Sequence, residues 1–174
     1  STALLGGWEL YLTSDQCMGC HSGLSTGFGP VMFLDTSPSY KTGLNVSPYG
    51  EWRWSPMGLA GRDPIFFAQL ESELSILKDE LPPEKADFFG QQTFNTCLLC
   101  HGAMGKRQFD IDQGVGREYW KADFKLKWYL DSDRESKHFK YGALAREGIS
   151  CLVCHHWKDE YPGDLKGFLN NSIT

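Results

Sequence analysis

The sequence predicts a single domain over residues 1–174 that is mainly α with extensive loops. Three observations lead there. Phe67, Leu70, Leu74 and Leu77 recur at three- and four-residue spacing, the period of an amphipathic helix. Residues 22–62 are crowded with Gly, Pro and Ser, the composition of irregular loop. No segment alternates apolar and polar residues with the period of two that a half-buried strand needs.

Taken in order, residues 1–16 read as a short aromatic lead-in through Trp8 and Tyr11, with Ser14 or Asp15 placed to N-cap the turn that starts at Cys17. The 22–62 stretch holds Gly29-Pro30, Ser37-Pro38, Ser47-Pro48 and Ser55-Pro56. A loop that long in a compact domain is usually functional or wrapped on something. Asp63-Pro64 is a helix start, a capping carboxylate followed by Pro at the first helical position. That helix should run to about Glu80, where Leu81-Pro82-Pro83 breaks it. A second is expected from about Glu84 through Phe88 and Phe89 into Cys97. Gly102 to Gly116 reads as loop and Arg117 to Leu130 as a helix charged on one side. Asp131-Ser132-Asp133 can cap a helix through His138, Tyr141 and Leu144 that Gly148 ends, after which Ser150 caps the turn from Cys151. Tyr161 to Asp164 is a turn into a tail.

The net charge of −5, with no basic stripe, argues against nucleic acid as the main partner. No run approaches the roughly eighteen apolar residues of a membrane helix, so no span is expected in this chain. No basic-then-apolar leader opens it, so a signal peptide is expected to have been removed or to lie upstream. Aromatic residues make up 14% of the chain, including six Trp and eleven Phe, and flat rings suit packing against a large planar cofactor.

All six cysteines fall in C-x-x-C pairs, and each pair is followed at once by histidine: Cys17/Cys20/His21, Cys97/Cys100/His101 and Cys151/Cys154/His155. This is the c-type haem attachment pattern. On a helical turn, residues i, i+3 and i+4 share a face, so two thiols can reach the vinyl groups at one porphyrin edge and the imidazole can bind the iron. A zinc ribbon needs no histidine directly after each pair, and a thioredoxin-like motif would be single and would open a βαβ unit. The expectation is three covalently attached haems c, with His21, His101 and His155 as proximal ligands.

Three irons offer six axial positions, and the chain has five histidines. Beyond the proximal three there remain His138 and His156, so at least one haem takes a different sixth ligand or stays open. His156 follows a proximal histidine directly and would have to serve a neighbouring haem; the alternative is an exposed or propionate-bonded side chain. For His138 the alternative is a surface residue on a Lys-rich face. Among Met18, Met32, Met57 and Met104, Met57 is preferred as the ligand over the first haem, because Pro56 stiffens its approach and the helix start at Asp63 anchors the chain beyond it. A methionine used only as core filler is the competing reading. Trp52 and Trp54 are expected to pack on a ring, and Arg53 and Arg62 either to meet propionates or to stay solvated.

At these residues the chain resembles a group of bacterial multihaem cytochromes c. The resemblance rests on the three C-x-x-C-H strings, on Ser55-Pro56-Met57 and Arg62-Asp63-Pro64, and on the run from Tyr141 to Cys151, and so covers most of Cys17 to His156. The string ending His155-His156 resembles the tetrahaem cytochromes c3, where the second histidine ligates a neighbouring haem. The resemblance implies a compact multihaem cytochrome c fold organised around three haems, possibly a region of a longer multihaem chain, and a role in extracytoplasmic respiration, in the periplasm or outside the cell. The leading expectation is an electron carrier exchanging electrons with redox partner proteins through a basic docking surface on the partner, since ionised propionates would make an acidic chain more so. An oxidoreductase with one open haem, and a subunit of a larger cytochrome assembly, are the alternatives.

Overall fold

A computed structural model of the protein describes residues 11–26, 29–37, 42–114 and 123–155. The described chain is mainly helical, as expected. A 3-10 turn over Ser14–Cys17 runs into α1 (Met18–His21). Two antiparallel hairpins come next, β1 (Leu24–Thr26) with β2 (Gly29–Val31) and β3 (Phe33–Ser37) with β4 (Thr42–Asn45). Eight helices complete the described order: α2 (Pro48–Trp52), α3 (Pro56–Leu59), α4 (Pro64–Glu80), α5 (Pro83–His101), α6 (Ala103–Asp112), α7 (Leu126–Tyr129), α8 (Phe139–Ala145) and α9 (Cys151–His155). No helix among the described residues is long and apolar enough to cross a membrane.

The hairpins correct the reading of 22–62 as structureless. Strands of three to five residues are too short to display a period of two, and their pairing rests on backbone and glycine. Leu34 stands opposite Leu44 and Asp35 opposite Gly43, with an irregularity between Asp35 and Ser37. Gly43 crosses the Phe33 ring and the Leu34 carbonyl so closely that no Cβ would fit. Asn45 then ties the hairpins to α2, its Oδ1 accepting from Gly23 N–H at 3.2 Å and from the Ser47 hydroxyl at 2.6 Å. Ser47-Pro48 and Ser55-Pro56 prove to be helix starts of the same kind as Asp63-Pro64. Ser47 Oγ accepts from Gly50 N–H at 3.0 Å and Ser55 Oγ from Gly58 N–H at 3.2 Å, each with Pro at the first positions of its helix.

The helix from Pro64 to Glu80 forms as read, with the Asp63 carboxylate accepting from Ile65 N–H at 2.9 Å. Its buried residues are Phe66 and Leu70, with Phe67 and Leu74 packed beside them. α5 packs along it and carries Phe94 and Leu98 into the same aromatic cluster, joined by Phe109, Phe124, Tyr129 and Tyr141. Phe109 meets Phe124, Tyr129's neighbour Trp128, and Tyr141 at 5.2–5.3 Å between ring centroids, two of the three edge-on.

The described part of the loop expected over Gly102 to Gly116 is mostly helix. α6 occupies Ala103–Asp112 and is the most deeply set helix, burying Met104, Lys106, Gln108, Phe109 and Asp110 among others. Two of its buried charged residues pair with each other. Lys106 Nζ meets Asp110 Oδ1 at 2.5 Å, the two side chains being 1% and 2% exposed. Gly105 lets α6 touch α8 backbone to backbone, since a Cβ there would overlap the Tyr141 carbonyl.

Of the helix expected over Arg117–Leu130, the described part has no regular structure from 123 to 125 and is helical only at Leu126–Tyr129. Asp131 and Asp133 accept from the N–H two residues on, at 3.0 and 3.1 Å, forming turns that delay the next helix to Phe139. Gly148, at φ 66°, ends that segment as expected. Trp8, His156 and the Tyr161–Asp164 turn lie outside the described residues.

Burial lifts the Asp110 carboxyl to about 6 in spite of the Lys106 ammonium bonded to it, and burial likewise lowers Lys106. A carboxyl whose folded pKa is raised binds protons more tightly in the native state, so its own contribution to stability declines as pH rises from about 4 to 6. Lys106→Met should leave a buried carboxylate alone and cost about 3–5 kcal/mol in denaturant unfolding. Adding Asp110→Leu should return most of that loss. A single variant as stable as the native chain would mean that the pair is reached by water.

Candidate functional site

Each cysteine pair sits on helical backbone. Cys17 closes the 3-10 turn while Cys20 and His21 lie on α1; Cys97, Cys100 and His101 form the end of α5; Cys151, Cys154 and His155 make up α9. The i, i+3, i+4 spacing therefore puts two thiols and an imidazole on one side of a turn in all three places. Cys20, Cys100 and Cys154 are exposed, whereas Cys17, Cys97 and Cys151 are half-buried. Burial pushes the Cys17, Cys97 and Cys100 thiols above their ordinary range, at Cys17 reinforced by Cys151.

The expected caps are used differently. Thr13, not Ser14 or Asp15, stands at the N-cap of the first turn, with its hydroxyl on the Asp15 carboxylate. Ser14 is buried, and its N–H donates to Glu147 Oε2 at 2.9 Å. The Ser150 hydroxyl donates to Met104 Sδ at 2.9 Å, while its carbonyl accepts from Val153 N–H at 3.1 Å.

His101 is held on two sides. Its Nδ1 lies 2.8 Å from the Ala60 carbonyl, which can only accept, so Nδ1 carries the proton and Nε2 is left as the ligating atom. The Phe66 ring stacks on the imidazole at 3.8 Å and 5°. Tyr129, whose hydroxyl burial pushes up in pKa, donates to the carbonyls of Gly61 and His101. Two turns before Cys97 on the same helix face, Phe89 is 45% exposed and meets Phe88 edge-on at 5.3 Å.

The segment that holds His101 also meets the third pair. Ile149 N–H donates to the Met57 carbonyl at 3.1 Å, and Trp52 Nε1 donates to the Ile149 carbonyl at 2.8 Å. Tyr11 is buried in a cluster with Met104, Leu144 and Val153. The Cys151 thiol adds to the rise at Cys17, and Ser14 N–H meets Glu147, four residues before Cys151. The first and third pairs, far apart in sequence, are thus neighbours.

Of the possible sixth ligands, His138 immediately precedes α8, stacked on Trp128 at 4.2 Å and 16°. Its Nδ1 is buried with no hydrogen-bond partner in the described structure. Burial, then Lys137, pulls its imidazolium below the usual histidine range, so the ring is neutral at pH 7 and able to ligate. Met57 is 49% exposed on α3, with its backbone joined to the lead-in of the third pair through Ile149. Met18 and Met32 are also exposed, Met32 at φ 51°. Met104 is fully buried with the Ser150 hydroxyl on its sulfur, which leaves it a core residue. Trp52 half-buries its ring, while Trp54 is 70% exposed under the Arg53 guanidinium, 4.5 Å from the ring centroid. Arg62 donates to the Gly58 carbonyl at 3.2 Å.

Among the described residues no three His, Cys, Asp or Glu side chains gather into a site for a bare metal ion. The donor set at each pair fits a haem c instead: thiols for the ring edge, an imidazole for the iron, and at His101 a fixed Nδ1–H. Sequence reasoning missed Phe66, Ala60, Gly61, Tyr129 and the Met104–Ser150 contact; the two glycines at 61 and 148 were the available signal. Comparison with protein-family models, curated proteins and solved structures finds no match for this chain.

A Cβ at Gly61 would come within 2.6 Å of the Ala145 carbonyl and 2.7 Å of Gly148 N. Gly61→Ala should therefore destabilise the fold by about 1–3 kcal/mol and loosen the Ala60 carbonyl from His101. Nitrogen NMR of the His101 ring reads the second effect. Native stability with an unchanged ring signal would show that the two backbones can part freely.

Proposed function

We propose that this chain is a trihaem c-type cytochrome that transfers electrons in extracytoplasmic respiration. The observation that carries the proposal is that every cysteine belongs to a C-x-x-C-His string lying on a helical turn. Covalent haem, when attached, supplies a one-electron iron couple whose potential the axial ligands and burial adjust. The chain's own residues then have distinct tasks. The six thiols fix the ring edges; His21, His101 and His155 ligate from below; Ala60, through His101 Nδ1, orients one imidazole. His138 and His156 serve two of the remaining axial positions, and the exposed Met57 takes the sixth position at the first haem. Full ligation favours a carrier over a catalyst. Haem propionates add negative charge to a chain already at −5, so a partner with a basic docking surface suits it.

The two alternatives, an oxidoreductase with one open iron and a subunit of a larger assembly, share the attachment chemistry. Binding of CO or cyanide in difference spectra would single out the open iron of the first.

Denaturing mass analysis of protein matured with a competent haem-attachment system should show three haems added to 19.7 kDa. Bound zinc or fewer than three haems would reject the reading. Met57→Ala should remove a near-infrared charge-transfer band of the oxidised protein and lower the potential of the first haem alone. Survival of the band and of all three potentials would leave Met57 as packing, and a drop at another haem would reassign it.

A further inference from the structure

We infer that the three attachment turns are ordered in space as first, third, second, so that the turn at Cys151–His155 is the middle relay of the electron path. The inference rests on the three-haem reading proposed for this chain and adds the connectivity, which sequence order hides.

The first and third turns are linked in three ways. Ser14 N–H donates to Glu147 Oε2 at 2.9 Å. Tyr11 is buried in one cluster with Val153, on the third turn itself, and with Ala103 and Met104, just past the second. Cys151 adds to the rise in the Cys17 thiol's pKa, which puts these two leading cysteines near each other. A leading thiol would hold the edge of its ring, so the residues that would hold these two ring edges lie near each other.

The third and second turns are joined by two routes. Met104, three residues past His101, receives the Ser150 hydroxyl at 2.9 Å, one residue before Cys151, and both partners are almost fully buried. On the other side, the Met57–Ala60 segment accepts from Ile149 N–H with one carbonyl and from His101 Nδ1 with another, at 3.1 and 2.8 Å. The third turn is therefore joined to both of its counterparts, to one through Ser14 and Tyr11 and to the other through two short bridges. An electron leaving a reduced iron at either end reaches an oxidised iron at the third turn before the far end.

Native holoprotein supplies the test. Each reduction adds negative charge and disfavours reduction of its neighbours, an effect that falls inversely with distance. Stepwise reduction, followed through haem methyl resonances assigned to each site, yields three pairwise interactions. Those of the first–third and second–third pairs should both exceed that of the first–second pair. An order in which first–second is not the smallest overturns the inference. Deleting the middle site with Cys151→Ser and Cys154→Ser should slow electron exchange between the first and second haems. A protein carrying fewer than three haems would sink both this inference and the functional reading; one carrying three in another order would sink this inference alone.

Discussion

Two backbones that touch with no side chain between them hold this structure together around its cysteine pairs. A Cβ on Gly61 would fall 2.7 Å from Gly148 N, and one on Gly148 would fall 2.8 Å from Gly61 N and from the Met57 carbonyl. Because the contact is this close, three consecutive functions fit into one short segment. The Met57 carbonyl reaches Ile149, the Ala60 carbonyl reaches His101, and the Gly61 carbonyl takes the Tyr129 hydroxyl. Gly148 adds a conformation that few other residues adopt, at φ 66°.

The polar helix α6 works from the opposite side. A buried ion pair is a poor source of stability, since removing two charges from water costs about as much as their attraction returns. Because Lys106 and Asp110 sit four residues apart on α6, the pair turns with the helix, and the rotation of α6 is set by its contacts with other elements. That rotation turns Gly105 to α8, Phe109 to the aromatic cluster and Met104 to Ser150. Hydrogen bonds from Gln108, Lys140 and Tyr141 to Asp112 fasten the far end of the helix at 2.7–2.9 Å.

The sequence made the long helices and the placing of the cysteine pairs legible, because both are local. Asp63-Pro64 carries its own cap, and C-x-x-C-H carries its own spacing. The same capping chemistry at Ser47-Pro48 and Ser55-Pro56 went unread because a surrounding excess of Gly and Ser spoke for loop. α6 was hidden by the opposite effect: Lys106, Arg107, Gln108 and Asp110 look solvated in the sequence, and the burial of Lys106, Gln108 and Asp110 comes from tertiary contacts. The hairpins were too short to show a pattern. The meeting of Cys17 with Cys151 was beyond any local rule.

That meeting has a consequence for how the chain comes to be folded. The hydrogen bond from Ser14 to Glu147 closes a separation of 133 residues, whereas α4 and α5 pack across a connection at Leu81-Pro82. Loop closure grows costlier with length, and contacts of large separation form after local ones have repaid their ordering. During synthesis, the first cysteine pair cannot acquire its neighbour until residues 147–151 exist. Until then Cys17 and Cys20 face their surroundings on a short, undocked turn, and the docking of that turn leaves Cys17 half-buried and Cys20 exposed.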